Sequence, residues 1–358
     1  MTYDVVVVGL GGVGSATAAA LASRGQRVLG LDRHPPVHDQ GASHGETRIV
    51  RKAYFEGAGY VPLLHRAYEL WDELGLLTRT GALFLGAHDS RVLGGSLATA
   101  QQWGLPYELL DAVEIARRFP AFAPPVGTIG LHETDAGFVS PEDAVRAQLD
   151  RAVAAGADLR HGEPVTSWAE TADGVTVTTD AATYDAGALV VAPGRWATEL
   201  LPGLPVPLRV EPRTMHFFAP TDPEQFAPGR LPVWIWERED GTSLYGAPLV
   251  GSGVKAAVHH SSTRPGGDWP AEDVAALLRP LLPGLGDRVV KQLPCTYTLT
   301  PDENYVVGRL PGATQVFIAC GLSGHGFKLT PVLGEALADL AIAGTTAYDL
   351  SLLDPQRS

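Results

Sequence analysis

Lys255 stands in SGVKAAVHH (Ser252 to His260), flanked by small and apolar residues with strand periodicity. A lysine there points either inward or to the surface of an edge strand, and an inward one is costly unless it is paired or functional. His259 follows on the same stretch. Arg48 and Arg51 lie close together in SHGETRIVRKAY, Ser43 to Tyr54. They read either as a solvated basic surface or as a cluster whose planar forks grip a carboxylate at two points. GLSGHGFKLTP (Gly321 to Pro331) carries Gly321, Gly324 and Gly326, which let backbone approach a flat ligand. His325 and Lys328 sit there at the mouth of a helix whose positive end suits negative charge. A plain glycine-rich connection is the alternative. Of the two cysteines, Cys320 in VFIACG reads as strand core. Cys295 in LPCTYT follows a proline and precedes Tyr297 in a turn-rich segment. A thiol there is a nucleophile, a covalent tether or neither. No Cys/His cluster has metal-ligand spacing, so no metal is expected.

These residues need elements to hold them. Tyr3 to Val8 is a continuous β-branched run, as in a strand buried on both faces. GLGGVG follows, then an Ala-rich helix to about Arg24, a stop at Gly25 and a second strand, Arg27 to Leu31, ending at Asp32. Gly9, Gly11 and Gly14 fit G-x-G-x-x-G, which serves a tight turn, close approach to a pyrophosphate and close helix packing. The pattern alone is weak. Between a strand and a helix, answered by Asp32 for ribose hydroxyls, it reads as dinucleotide-binding, without distinguishing NAD from FAD.

A second helix is predicted from Ser140-Pro141-Glu142-Asp143, capped by Ser140, with Val145, Leu149 and Val153 on one face and Gly156 as its stop. Strands follow at Val175 to Thr179, Leu189 to Ala192 and Val316 to Ala319. A last helix after Thr330-Pro331 ends near Gly344, with Leu333, Leu337 and Leu340 aligned. Residues 81–139 and 206–294 are richer in Pro, Trp and alternating patterns. The fold class is therefore α/β, a Rossmann-type dinucleotide domain (1–80, 140–205 and 295–358) interleaved with a sheet-rich α+β substrate domain (81–139 and 206–294).

Composition narrows the function. A chain of 358 residues favours two domains, and 45% hydrophobic residues suffice for a packed interior. A net charge of −13 argues against nucleic acid, whose affinity rests on Lys and Arg. Apolar runs such as Val5 to Val8 fall far short of the roughly 20 residues of a membrane span. MTYDVVVVG enters a strand at once, and two cysteines build no disulfide framework. The expectation is a soluble cytoplasmic protein with no membrane or nucleic-acid partner.

Taken together, YDVVVVGLGGVG, SHGETRIVRKAYFEG, YVPLLHRAYELWDEL, GLHETDAGF, YGAP, GVKAAVH, CTYTLTPDE and GLSGHGFK resemble the monomeric sarcosine oxidase and N-methyltryptophan oxidase family of FAD-dependent amine oxidases, within the D-amino acid oxidase group. The resemblance runs from residue 3 to about residue 353, and RAYELWDEL and GLSGHGFK make it look closer to N-methyltryptophan oxidase.

The resemblance implies an oxidase of secondary α-amino acids, using FAD and O2 and releasing hydrogen peroxide, that works as a monomer. It implies that Gly9, Gly11, Gly14 and Asp32 hold the ADP half of FAD, with Ser43, Val165, Gly324 and Gly326 also against the cofactor. Cys295 stands where the family carries a thioether to the flavin. Lys255 matches the lysine that promotes reaction with oxygen, and Arg48 the arginine over the flavin. Arg51 and Lys328 match the pair that holds the substrate carboxylate, with Lys328 also near the cofactor. His259 and His325 match active-site histidines, and Tyr245 and Tyr297 line the pocket. Two departures stand out. The family's His pair before Gly-Asp-Thr-Arg is here Ser43-His44-Gly45-Glu46. Trp234-Ile235-Trp236 is a bulky wall, and its register decides whether Ile235 or a Trp faces the ligand. A tailoring oxidase of a cyclic imino acid, a nicotinamide-dependent dehydrogenase and a flavin-binding protein without turnover are the other readings.

Overall fold

The computed structural model describes residues 3–264 and 268–357. The chain opens with β1 (Tyr3–Val8), α1 (Gly12–Ser23) and β2 (Val28–Asp32). In a parallel sheet β1 lies between β2 and the strand Thr183–Val191. Asp158–His161 extends the sheet beyond β2, and Val316–Cys320 extends it beyond the end of Thr183–Val191. Antiparallel strands Val165–Thr171, Gly174–Thr179 and Val306–Arg309 complete it. Helices cover the Val5 and Val7 face of β1, and Val165, Val177, Leu201 and Val206 cover the Val6 and Val8 face, which explains why its valines run on without alternation.

α1 lacks an apolar stripe because it has no wet side: ten of its 12 residues are buried. It packs between the sheet and the helices Pro141–Ala154 and Thr330–Ala343. Small residues permit this. A Cβ at Gly334 would lie 2.6 Å from that of Ala16, and one at Gly14 would lie 1.7 Å from the Gly9 carbonyl oxygen. Ser140 caps its helix, its hydroxyl accepting from the Asp143 amide at 3.2 Å. Val145 and Leu149 are buried, but Val153 is 57% exposed, against expectation. At 3.6 residues per turn Val153 is rotated by about 80° from Val145, whereas Ala152 is nearly aligned with it and is buried in its place.

The second sheet has eight strands, ordered Val289–Leu299, Arg209–Phe218, Gly253–His260, Ser243–Val250, Val233–Glu237, Ala82–Gly86, Ile129–Glu133 and Glu108–Asp111. Cys295 sits on the first of these, so the chain leaves this sheet after Leu299 and not at 295. Pro294 does not break the strand, because it is an edge strand, where a missing N–H is tolerated. A small third sheet joins Arg48–Val50 to Gly137–Val139.

Period-two geometry divides the second sheet. Val254, Ala256, Val258, Trp234 and Trp236 pack on one face, among Phe218, Phe226 and the helix Ala271–Leu278. Lys255, His259, Tyr245 and Ile235 lie on the other, towards the first domain. The Trp register is thereby decided: Ile235 faces the cavity and both Trp rings are core. Trp234→Ala should lower unfolding free energy by about 3–5 kcal/mol in denaturant titration, since it empties a fully buried site. Ligand affinity should hold, and a changed affinity would show that Trp234 reaches the cavity.

Candidate active site

One long cavity runs between the two sheets. Its first end is built on β1, α1 and β2: Gly9, Gly11, Asp32 and Ser43 line it, with Val165, Trp196, Arg33 and Arg195 further along. Gly9 adopts φ +86°, and a Cβ there would meet the Ala192 carbonyl oxygen at 2.4 Å. The Gly12 amide donates to Ser43 Oγ at 2.9 Å. Asp32 braces the glycine loop: its carboxylate accepts from the amides of Leu10 (2.7 Å) and His34 (2.8 Å). Gly14 was expected beside the ligand but does not line the cavity; it lies beneath, where α1 crosses β1.

Towards the other end the pleat of the second sheet presents Lys255, His259, Tyr245, Cys295 and Tyr297, while Gly324, His325, Gly326 and Lys328 close in from the glycine-rich connection. Lys255 is 2% exposed on an interior strand, which decides against the edge-strand reading. Its Nζ donates to the carbonyls of Gly45 (3.2 Å) and Thr47. Burial, then the nearby Arg48, pulls its pKa well below that of an ordinary lysine. Arg48 donates to the carbonyls of Thr47 (2.9 Å) and Ala42 (3.1 Å), with Nη2 4.0 Å from Cys295 Sγ.

Arg51 is 2% exposed and forms an ion pair with Glu56 at 2.5 Å. Burial pushes the Glu56 carboxyl up, but Arg51, His325, Lys328 and His259 together outweigh it and hold the group at about 2. Lys328 Nζ donates to the His325 carbonyl (2.5 Å) and the Tyr54 hydroxyl (3.3 Å). It has no acidic partner within ion-pair distance among the described residues. Burial, then Arg51, pulls it down to about 7. His325 faces the Glu303 carbonyl through Nε2 at 2.9 Å, so Nε2 carries the proton. Nδ1 is then the acceptor, with the hydroxyls of Tyr54 (2.5 Å) and Tyr305 (2.9 Å) both facing it. His259 Nδ1 lies 3.2 Å from the Tyr297 hydroxyl. Burial depresses His259 to about 3 and His325 to about 4, leaving both neutral at pH 7.

Except for Gly14, every residue singled out above as catalytic or cofactor-binding meets in this cavity. Sequence reasoning missed Glu56 and Thr47. Glu56 is five residues from Arg51 across an irregular loop, a spacing with no periodic signature. Cys320 is core, as expected, with burial pushing its thiol up to about 12. The cavity suits a long, flat dinucleotide. Glycines border both its ends, and the hydroxyls of Thr47 and Thr296 line it, buried and without a hydrogen-bond partner among the described residues.

The model of FAD dependent oxidoreductases matches residues 4–340. Monomeric sarcosine oxidase of Streptomyces avermitilis is 44% identical, covering 99% of this chain and 98% of that one. N-methyl-L-tryptophan oxidase of Salmonella heidelberg is 36% identical, with 98% of each chain covered. The expected closer likeness to the tryptophan enzyme is thus not what whole-chain identity gives; the two short blocks behind it weigh little against 358 residues. Among solved structures, NikD, described as an unusual amino acid oxidase essential for nikkomycin biosynthesis, superposes with a TM-score of 0.85 at 30% identity, covering 99% of this chain and 98% of its own. Glycine oxidase from Geobacillus kaustophilus, at 23% identity and a TM-score of 0.83, shares the fold, covering 100% of this chain and 99% of its own.

The depressed histidines make acid stability a test of the site. A histidine at 6.5 unfolded and about 4 folded takes up a proton on unfolding between those values. Its contribution is therefore lost as pH falls from 6.5 towards 4, with a slope of about 1.4 kcal/mol per pH unit. His325→Asn should flatten the pH dependence of unfolding free energy in that window by about one proton, whatever it does to stability at pH 8. An unaltered slope would mean that His325 is not held neutral.

Proposed function

The chain belongs to the family of FAD-dependent oxidoreductases, and we propose that it oxidises the CH–NH bond of a small secondary α-amino acid such as sarcosine or another N-methyl amino acid, with oxygen as acceptor. The observation that carries this is the single cavity holding a dinucleotide loop at one end and a water-excluded Lys255, Arg51 and Lys328 at the other. The likeness to the sarcosine and N-methyltryptophan oxidases supports it.

Bound FAD supplies a two-electron acceptor that oxygen regenerates, with hydrogen peroxide as product. The chain's own residues do the rest. Gly9, Gly11 and Ser43 receive the pyrophosphate, and Asp32 the ribose. Lys328, which has no acidic partner among the described residues, takes the substrate carboxylate. Arg51 joins it where Glu56 yields, and this fixes the C–H bond in place. Neutral His259 and His325 and the surrounding positive charge favour the uncharged amine that the reaction needs. Lys255 sits dry beside Gly45 and Thr47, where a positive charge assists the reduction of oxygen. Cys295, with Arg48 beside it, would hold the cofactor as its covalent tether. In this reading the protein is a cytoplasmic monomer; no helix among the described residues is long and apolar enough to cross a membrane.

A tailoring oxidase of a cyclic imino acid or other amine metabolite is the second reading, and the likeness over the whole chain to NikD, described as an unusual amino acid oxidase essential for nikkomycin biosynthesis, supports the tailoring part of it. Both readings use the same machinery, and a substrate panel with peroxide detection separates them. Sarcosine or another N-methyl amino acid should give peroxide; turnover only of cyclic imino acids would select the second reading, and no peroxide from any amine would overturn both.

Acid precipitation of the purified protein should leave the yellow colour in the pellet, and Cys295→Ala should move it to the supernatant. Colour in the wild-type supernatant would remove Cys295 as the tether. Lys255→Met should keep anaerobic reduction by substrate and lose about 10²-fold or more in the rate of reoxidation, as for removal of a preorganised electrostatic group. Stopped-flow measurement of the two half-reactions checks this, and unchanged reoxidation would take Lys255 out of the mechanism.

A further inference from the structure

The carbonyls that meet Lys255 belong to a turn with an unusual backbone. Glu46 has φ +65°, rare for a residue with a side chain, and Gly45 before it has φ +106°. The Thr47 amide donates to the Gly45 carbonyl at 2.7 Å, closing a three-residue turn around Glu46. Tight turns of this hand are strained and persist only where surrounding contacts over-determine them. Here those contacts come from two sides. The Glu142 carboxylate accepts from the amides of Gly45 (2.6 Å) and Glu46 (3.2 Å). The Glu46 carboxylate itself accepts from the Ser252 amide (2.9 Å), the Ser252 hydroxyl (2.5 Å) and Lys291 Nζ (2.8 Å).

Ser252 lies in the tight turn between the strands Ser243–Val250 and Gly253–His260, three residues before Lys255. Gly251 in that turn adopts φ +59°, and a Cβ on it would come within 2.6 Å of the Glu46 carboxylate. Glu46 therefore grips both halves of one contact. Its backbone lies between the two carbonyls that receive the Lys255 amine, and its side chain holds the start of the strand that carries Lys255. Lys291 adds a third strand to the grip.

The geometry points to Glu46 as a positioning residue: the strained turn, clamped to Ser252 and Lys291, sets where the Lys255 amine stands against the cofactor cavity. This rests on the reading of Lys255 given above. Glu46 touches neither the cavity nor a reacting atom. Its effect passes through Lys255, so it should bear on the oxygen half-reaction and the potential of bound FAD more than on substrate binding.

The test uses the FAD-loaded enzyme with Glu46→Gln, Ser252→Ala and Lys291→Met, beside Lys255→Met as reference. Lys291→Met guards against loss of folding, since that side chain is 38% exposed. The expected result is slower reoxidation by oxygen, by about tenfold for Glu46→Gln and less for the other two, as for a modest misplacement of a positioned group. Anaerobic reduction and substrate KM should stay within about twofold. The midpoint potential of bound FAD should shift in the same direction as in Lys255→Met. Wild-type reoxidation and potential in all three clamp variants, with Lys255→Met impaired, would overturn the proposal. So would a lowered Tm without either change, which marks a merely structural contact. Normal reoxidation in Lys255→Met would instead sink the underlying reading of Lys255.

Discussion

Lys255 is held out of water, and much of the molecule is arranged around the free energy of keeping it there. An amine on an interior strand, 2% exposed, has lost its hydration and receives two backbone carbonyls in exchange. Those carbonyls come from the loop before Arg48–Val50, which leads from the dinucleotide sheet to the small third sheet and touches the second sheet on the way. The same loop places Ser43 against the helix start, Thr47 in the cavity and Arg48 beside Cys295. One segment thus couples the cofactor end of the cavity to the chemical end. Its strained backbone is the local consequence of having to face both.

The rest of the cavity follows the same rule: a charge withheld from water is met by a fixed dipole or an opposite charge. Arg51 meets Glu56 and the Ala53 carbonyl. Lys328 meets the His325 carbonyl, and His325 is itself fixed between Glu303 and two tyrosines. For the two histidines burial outweighs the nearby Glu56 charge, and so they stay neutral. The outcome is a site with net positive character and little freedom to reorganise, suited to an anionic substrate group and to electron transfer away from an amine.

The two sheets divide the work by their geometry. The parallel sheet, buried on both faces, ends its central strands at one edge, where the glycine loop and the helix mouth present backbone amides of the kind that suit phosphates. The second sheet is a platform: one pleat face is sealed by tryptophans and a helix, and the other carries the reactive side chains. Close helix packing through Gly14, Ala16 and Gly334 keeps the first domain compact enough for its edge to meet that platform.

Sequence alone determined what depends on neighbours along the chain. The valine run, the glycine turn, the Ser140 cap and the proline at helix starts are local effects of sterics and backbone hydrogen bonding. The residues grouped in the cavity were likewise legible as types in recognisable blocks. Tertiary structure decided what depends on which face is covered. Period two said that Ile235 and its flanking tryptophans point oppositely, but only packing against Phe226 and the helix Ala271–Leu278 chose the side. It turned Lys255 inward, because its strand is paired on both edges, and it left Val153 in water while Ala152 went to the core. It also brought Glu46 to Ser252 and Lys291, residues more than 200 positions away in the chain. No local pattern encodes such a contact, because it exists only once the loop and the sheet have been pressed together by the burial of everything around them.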